Sequence, residues 1–124
     1  MMNDSQTTVS ELTDAVIEMC VQKGWGGSTG IQNPQHVAMA MSVEMGELLE
    51  HFMWLNEPDV EKLMRGGDPE RVRLVAEEFA DVMMYGLQLM RCLSVDVSAE
   101  IERKIGIVMN RKPGEKRGDT IPHT

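Results

Sequence analysis

Four carboxylates occur as two short pairs, each with a spacing of three residues. Glu44 and Glu47 form the first pair, and Glu78 and Asp81 form the second. Side chains three positions apart on a helix are neighbours, roughly 5–6 Å apart at Cβ. Two such helices packed together would therefore bring four carboxylates around one point. Carboxylate oxygens are hard ligands that suit Mg²⁺ or Mn²⁺, ions that commonly hold phosphates. The pattern predicts a metal-dependent enzyme acting on phosphates.

The second pair lies among apolar neighbours. Glu78 has Leu74 and Val82 one turn away, whereas the adjacent Glu77 has Arg73 one turn back, which suits an exposed ion pair. Acidic groups in apolar surroundings are costly unless a cation compensates them. Either pair alone would be read more simply as a solvated acidic face. Two pairs within apolar stripes on successive helices favour the metal site.

Capping signals show where the helices that carry these pairs begin. Asn33 followed by Pro34, and Asp68 followed by Pro69, each combine an N-cap residue with a proline at the first helical position. Apolar side chains then recur at helical spacing. The sequence thus predicts an all-α bundle of four main helices in a single domain, residues 1–124. The predicted helices cover about 9–23, 34–55, 69–93 and 97–110, with a short helical piece at 59–65 and an irregular tail at about 112–124.

The two long helices carry apolar stripes that we expect to be buried. Met45 and Phe52 belong to the first stripe, and Phe79 and Met83 to the second. A chain of 124 residues with helices this long leaves more apolar surface than one small core can cover. We therefore expect a homodimer or a homotetramer that completes the bundle.

Composition narrows the class of protein. The formal net charge of −8 argues against a nucleic-acid partner, which would require a basic face. The longest apolar run, Val37 to Val43, is far too short to span a membrane, and the polar N-terminus shows no signal peptide. Cys20 and Cys92 form neither a disulfide framework nor a zinc pattern. A cytoplasmic protein without a membrane partner is expected.

Specific motifs surround the acidic pairs. Glu-x-x-Glu-Leu is followed by Phe-x-Trp, and Glu-x-x-Asp-Val is followed by Tyr. The segments 34–54 and 78–85, which contain these motifs, resemble the MazG-like all-α NTP pyrophosphatases, and within them the small dCTP pyrophosphatase branch. The resemblance covers about residues 25–117. It implies Mg²⁺-dependent hydrolysis of a nucleoside triphosphate to the monophosphate and pyrophosphate. Mn²⁺, which suits the same carboxylate ligands, would serve as a substitute. A deoxynucleotide such as dCTP would be the substrate, in a house-cleaning or nucleotide-pool role.

The resemblance also implies roles for matching residues. It makes Glu44, Glu47, Glu78 and Asp81 the metal ligands. A carboxylate of the same row, Glu47 or Glu50, would accept the proton of the attacking water. Further substrate contacts implied by the resemblance fall on aromatic, polar and basic side chains: His36, Trp54, Tyr85, Lys104, Asn110 and Arg111.

Two tryptophans are candidates for contact with the base. Trp25 lies in a glycine-rich loop, where a large aromatic gains little unless it packs on a base or on a neighbouring subunit. Trp54 follows Glu44 by ten residues on the same predicted helix, so it would lie about 15 Å away on nearly the same face. Without the resemblance, Trp54 and Tyr85 would be interpreted as core aromatics and His36 as a surface residue.

Three other functions compete with this interpretation. A phosphoribosyl-ATP pyrophosphohydrolase would use similar helices and acidic pairs. A di-iron carboxylate bundle requires Glu-x-x-His motifs, but Glu47 and His51 are four residues apart and no second histidine lies nearby. A non-catalytic helical interaction protein would explain the Met-rich helices but not the carboxylate pairs.

Overall fold

The computed structural model describes residues 1–114, and all the regular secondary structure in this part of the chain is helical, without strands. The predicted all-α class is confirmed. The predicted tail at 112–124 lies largely outside the described residues. The helices are α1 (Val9–Lys23), α2 (Pro34–Glu50), α3 (Glu57–Met64), α4 (Pro69–Cys92) and α5 (Val97–Met109), with a 3₁₀ turn at Gly27–Thr29.

Side-chain caps fix where the helices begin. Asn33 Oδ1 accepts a hydrogen bond from the backbone N–H of Gln35 at 2.9 Å, and Asp68 Oδ1 accepts one from the N–H of Arg71 at 3.2 Å. The proline that follows each cap occupies the first helical position, where a missing N–H costs nothing. The predicted starts of the second and third main helices, which are α2 and α4, are therefore confirmed.

The predicted end of α2 is wrong. The helix ends at Glu50, with His51 as its C-cap, rather than near Leu55. The Arg71 guanidinium on α4 donates to the carbonyl of His51 at 2.8 Å, so this carbonyl is held by α4 instead of continuing the helix. Asn56 then caps α3. Trp54 consequently lies in the connecting turn and does not share a helix with the first acidic pair.

The main contact in the fold is between α2 and α4, which run antiparallel. The start of α4 meets the end of α2. Near the other end of the contact, Met41 of α2 packs against Gly86 of α4, where an added Cβ would lie 3.4 Å from Cε of Met41. We call the face shared by the two helices the seam. Its buried and half-buried residues alternate at spacings of four and three: Val37, Met41, Glu44, Leu48 and His51 on α2, and Arg71, Val75, Glu78, Val82, Tyr85 and Leu89 on α4.

Helix α1 packs against the C-terminal half of α4. Arg91 Nη2 lies 2.7 Å from Asp14 Oδ1, and the buried Gln88 accepts a hydrogen bond from Gln32 Nε2 at 2.7 Å. Few apolar side chains are buried among the described residues: Val16, Cys20, Val37, Val82 and Leu87. The core of a single chain is thus small.

Several apolar side chains predicted to be buried are exposed. Phe79 is 54 % exposed, and Met45, Phe52 and Met83 are also on the surface. These side chains lie beside the seam rather than in it, because the seam uses the positions next to them. Helix α5 makes at most marginal contact with the other helices, and its apolar residues, including Ile105 at 57 %, remain exposed. No helix among the described residues is long and apolar enough to cross a bilayer.

We predict that the protein forms a homo-oligomer. Its accessible surface is 9518 Å², whereas a compact monomer of 13.9 kDa would expose about 6,700 Å². Light scattering at micromolar concentration should show a dimer or a larger species, and Ile105→Glu should shift it toward the monomer, while Glu102→Gln should not. A stable 13.9 kDa particle in the wild type would contradict this prediction.

Candidate metal centre

The seam brings the two acidic pairs together. Glu44 and Glu78 occupy seam positions and are half-buried, while Glu47 and Asp81 lie one turn further along each helix on the exposed flank. One carboxylate oxygen from each of Glu44, Glu47 and Glu78 lies within 4.8 Å of the other two. We call these three residues the carboxylate cluster. Asp81 stands outside it, although its charge acts on Glu44.

The cluster has the donor set and the unmet electrostatic need of a cation site. Glu44 Oε2 and Glu78 Oε2 are buried, and neither accepts a hydrogen bond from a donor within residues 1–114. A buried carboxylate oxygen without a donor is unfavourable, and a cation would compensate it. Ligands of one octahedral Mg²⁺ are at most about 4.2 Å apart, and the three carboxylate oxygens lie within 4.8 Å of one another without an ion. The residues therefore fit a hard divalent ion such as Mg²⁺ or Mn²⁺.

The crowding of carboxylates raises the pKa of Glu44 from 4.5 to about 7. The main cause is a hydrogen bond in which Glu44 can share a proton with Glu47, and partial burial is the second. The negative charges of Glu47, Asp81 and Glu78 act in the same direction. A bound cation would lower the pKa of Glu44 again, because a positive charge stabilises the ionised carboxylate.

Glu77 faces away from the cluster, as the sequence predicted. Arg73 Nη1 donates to Glu77 Oε1 at 2.6 Å, and both side chains are exposed. The two adjacent glutamates therefore have different surroundings, since Glu78 lies in the seam and Glu77 is in an i,i+4 ion pair on the surface. Glu77 is a matched control for substitutions in the cluster.

A histidine at the edge of the cluster was not among the predicted site residues. His51 Nε2 lies 3.8 Å from Glu78 Oε1. From the sequence, this residue is considered only as a di-iron ligand paired with Glu47. The signal that could have found it is its seam spacing, seven residues after Glu44 and three after Leu48.

The predicted aromatic residues are not gathered at the cluster in a single chain. Trp54 is 86 % exposed in the turn after α2, and Trp25 is about half exposed in the loop after α1. That loop is tight, because Gly26 has a φ of 80° and a Cβ there would lie 2.6 Å from the backbone of Ile31. Tyr85 is half-buried in the seam, two turns beyond the cluster residue on α4.

The remaining predicted contacts lie at helix ends and on α5. Glu50 is exposed at the last position of α2, and His36 is exposed in its first turn. Lys104 is exposed and lines an apolar groove on α5. Asn110 is the exposed C-cap of α5, and Arg111 behind it is half-buried. Their roles in binding a substrate stay predictions.

Comparison with known protein families identifies the family of this chain. Residues 39–120, which contain both acidic pairs, match the sequence model of the MazG-like family. The chain belongs to the MazG-like family. Because the match includes α2 from Met39, α3, α4 and α5, it covers the whole seam on the α4 side and most of it on the α2 side.

Individual relatives agree with the family match. The chain is 25 % identical over 121 residues to dCTP pyrophosphatase 1 of Bos taurus, covering 97 % of this chain and 69 % of that protein. It is 26 % identical over 108 residues to dCTP pyrophosphatase 1 of Homo sapiens, covering 87 % and 61 %. The chain thus spans less than two thirds of the human protein.

A solved structure supports the same placement at the level of the fold. The crystal structure of a pyrophosphatase from Archaeoglobus fulgidus aligns with a TM-score of 0.71 and 27 % identity, covering 91 % of this chain and 99 % of that one. The resemblance predicted from the sequence motifs, to the MazG-like superfamily near the dCTP pyrophosphatase branch, is confirmed.

We predict that Mg²⁺ stabilises the fold and does so more strongly at high pH. Folding raises the pKa of Glu44, so the folded state holds more protons than the unfolded chain between pH 4.5 and about 7. This group's stabilising contribution is therefore complete below pH 4.5 and is lost as the pH rises through about 7. A cation that binds only the folded state replaces what is lost.

Thermal melts with millimolar Mg²⁺ and with chelator test this. The rise in melting temperature should be several degrees at about pH 8 and much smaller at about pH 5, where the ion competes with the proton on Glu44. Glu44→Gln should abolish most of this pH dependence, whereas Glu77→Gln should retain it. Equal shifts at both pH values, or none at all, would count against a clustered site.

Proposed function

We propose that this protein hydrolyses a nucleoside triphosphate to the monophosphate and pyrophosphate with a divalent metal, most naturally Mg²⁺, and that a deoxynucleotide such as dCTP is its substrate. Family membership and the likeness to a solved pyrophosphatase assign the chain to the nucleoside triphosphate pyrophosphohydrolases. The preference for dCTP rests on the two relatives named dCTP pyrophosphatase 1. A role in cleansing or controlling the nucleotide pool follows from that chemistry.

One observation carries the metal dependence. Three carboxylates converge in a seam between two helices, and two of their oxygens are buried without a donor among the described residues. Glu44, Glu47 and Glu78 would hold the ion, and Asp81 would complete the set from the flank of α4. When bound, Mg²⁺ supplies neutralisation of triphosphate charge and lowers the pKa of a nearby water.

The carboxylates next to the seam can move the proton of the hydrolytic water. Glu47 is exposed at the edge of the cluster, and Glu50 is exposed one turn further along α2, so water reaches both. The water oxygen forms a bond to the α-phosphorus while the bond from that phosphorus to the departing pyrophosphate breaks. Glu47 or Glu50 accepts the proton released in this step.

Substrate recognition is assigned to side chains around the seam and on α5. Trp25, Trp54 and Tyr85 would contact the base and sugar, and His36 would lie at the edge of the nucleotide. Lys104, Asn110 and Arg111 would hold the phosphates. Because Trp54 and the apolar face of α5 are exposed in one chain, a second copy in a homodimer or homotetramer would complete the pocket.

We predict Mg²⁺-dependent release of pyrophosphate when the protein is incubated with a panel of NTPs and dNTPs. Chromatography of the products separates cleavage at the α-phosphorus, which gives pyrophosphate, from stepwise release of orthophosphate. Phosphoribosyl-ATP in the same panel tests the related hydrolase class. Release of orthophosphate alone would contradict the proposed bond cleavage.

Substitutions in the same assay test the assignment of helix faces. Glu47→Gln should lower kcat by about 10²–10⁴-fold, because a ligand and a candidate base are lost together. Asp81→Asn should also cause a severe loss. Glu77→Gln also removes a carboxylate from α4, but this carboxylate belongs to the exposed ion pair with Arg73 and not to the cluster. The variant should therefore keep activity near wild type. Equal losses for Glu77→Gln and Asp81→Asn would mean that the assignment is wrong.

We predict that Trp54→Ala weakens substrate binding more than it slows turnover. Stacking of a base on an aromatic ring is worth about 1–3 kcal/mol, so KM should rise about tenfold while kcat changes little. The side chain is 86 % exposed, so its removal should not unfold the chain. Steady-state kinetics decide the point, since an unchanged KM in a folded variant would exclude Trp54 from the base pocket.

A further inference from the structure

The backbone of His51 is held from both helices of the seam. Its N–H donates to the carbonyls of Leu48 and Leu49. Its own carbonyl accepts a hydrogen bond from Arg71 Nη1 at 2.8 Å, and the Arg71 Nε lies 3.1 Å from the Asp68 carboxylate. The imidazole therefore projects from a position that α2 and α4 define together.

The imidazole lies next to one particular residue of the carboxylate cluster, Glu78. His51 Nε2 lies 3.8 Å from Glu78 Oε1, and both side chains are 23 % exposed. This separation is longer than an N–H···O hydrogen bond by about 0.8 Å, so the two groups are neighbours, and a hydrogen bond between them requires a side-chain rotation. The other oxygen, Glu78 Oε2, is buried and accepts no hydrogen bond from residues 1–114. The two oxygens of Glu78 thus have different surroundings.

The placement of His51 fits a donor better than a ligand. The carboxylate oxygens of Glu44, Glu47 and Glu78 lie within 4.8 Å of one another, and the His51 nitrogens are not part of that group. A ligand carboxylate that accepts a hydrogen bond on one oxygen is fixed in orientation and presents the other oxygen to the ion. Glu78 meets this description if Oε1 accepts from His51 and Oε2 faces the cation.

We propose that His51 is a positioning residue of the metal centre, donating from Nε2–H to Glu78 Oε1 and thereby orienting Glu78 Oε2 toward the cation. The inference rests on the proposed function, since it concerns the same metal site. Loss of a hydrogen-bonding partner of this kind typically weakens metal affinity 10–100-fold. His51 acts through Glu78 and need not touch the substrate.

Calorimetric titration of the full chain with Mn²⁺ tests this role. His51→Leu should bind Mn²⁺ about 10–100-fold more weakly than wild type. His51→Gln should recover most of the affinity, because its amide can donate the same hydrogen bond. Asp14→Asn is the control, since it breaks the ion pair with Arg91 between α1 and α4 but leaves the seam intact. It should bind Mn²⁺ like wild type.

Kinetics separate positioning from a direct part in the reaction. In His51→Leu the Mg²⁺ concentration for half-maximal activity should rise, while kcat at saturating Mg²⁺ should stay close to wild type. If His51→Leu binds Mn²⁺ as tightly as wild type, the proposal is wrong. If His51→Gln binds as weakly as His51→Leu, the imidazole itself is needed and the donor role is excluded.

A measurement on the wild type keeps the test independent of how the variants fold. With ¹⁵N-labelled histidine and Mg²⁺, the NMR signals of His51 should show a proton on Nε2. An unprotonated Nε2 would overturn the proposal. A wild type that binds no Mn²⁺ at all would instead refute the metal centre and the proposed function with it, so the two failures are distinguishable.

Discussion

Like charges occupy positions in the seam where a pair of packed helices normally places apolar side chains. Glu44 and Glu78 recur in phase with Val37, Leu48 and Val82, so α2 and α4 cannot pack without taking carboxylates partly out of water. That packing is unfavourable until a proton or a cation compensates it. The raised pKa of Glu44 expresses the same conflict. The close contact at Gly86 and the hydrogen bond from Arg71 to the end of α2 hold the helices together despite it.

The local signals in the sequence predicted the fold well where the structure depends on neighbours along the chain. The starts of α2 and α4 follow from Asn33 and Asp68, whose side chains bond to backbone groups two or three residues away. The end of α2 depends on Arg71, which lies twenty residues beyond His51. No pattern around residue 51 contains that information, so the helix was predicted to be too long and Trp54 was placed on it.

The contrast between signals along one helix and contacts between helices also explains how far the site could be predicted from the sequence. Spacing along one helix identified both acidic pairs and separated Glu78 from Glu77. It could not show which of two adjacent apolar flanks meets another helix, and so Phe79 was assigned to the core although it is exposed. The contact of His51 with Glu78 joins two helices across 27 positions of sequence. Such a pairing becomes visible only once the register between α2 and α4 is known.

All four acidic side chains come from one helical hairpin, within residues 44–81. Forming the seam therefore closes a single loop that already contains α3, and the entropy of closing a loop grows only slowly with its length. A cation that bridges the two helices would stabilise the hairpin itself, since none of the four carboxylates lies on α1 or α5. One ion at this point would therefore compensate the most repulsive part of the molecule and hold the hairpin closed at the same time.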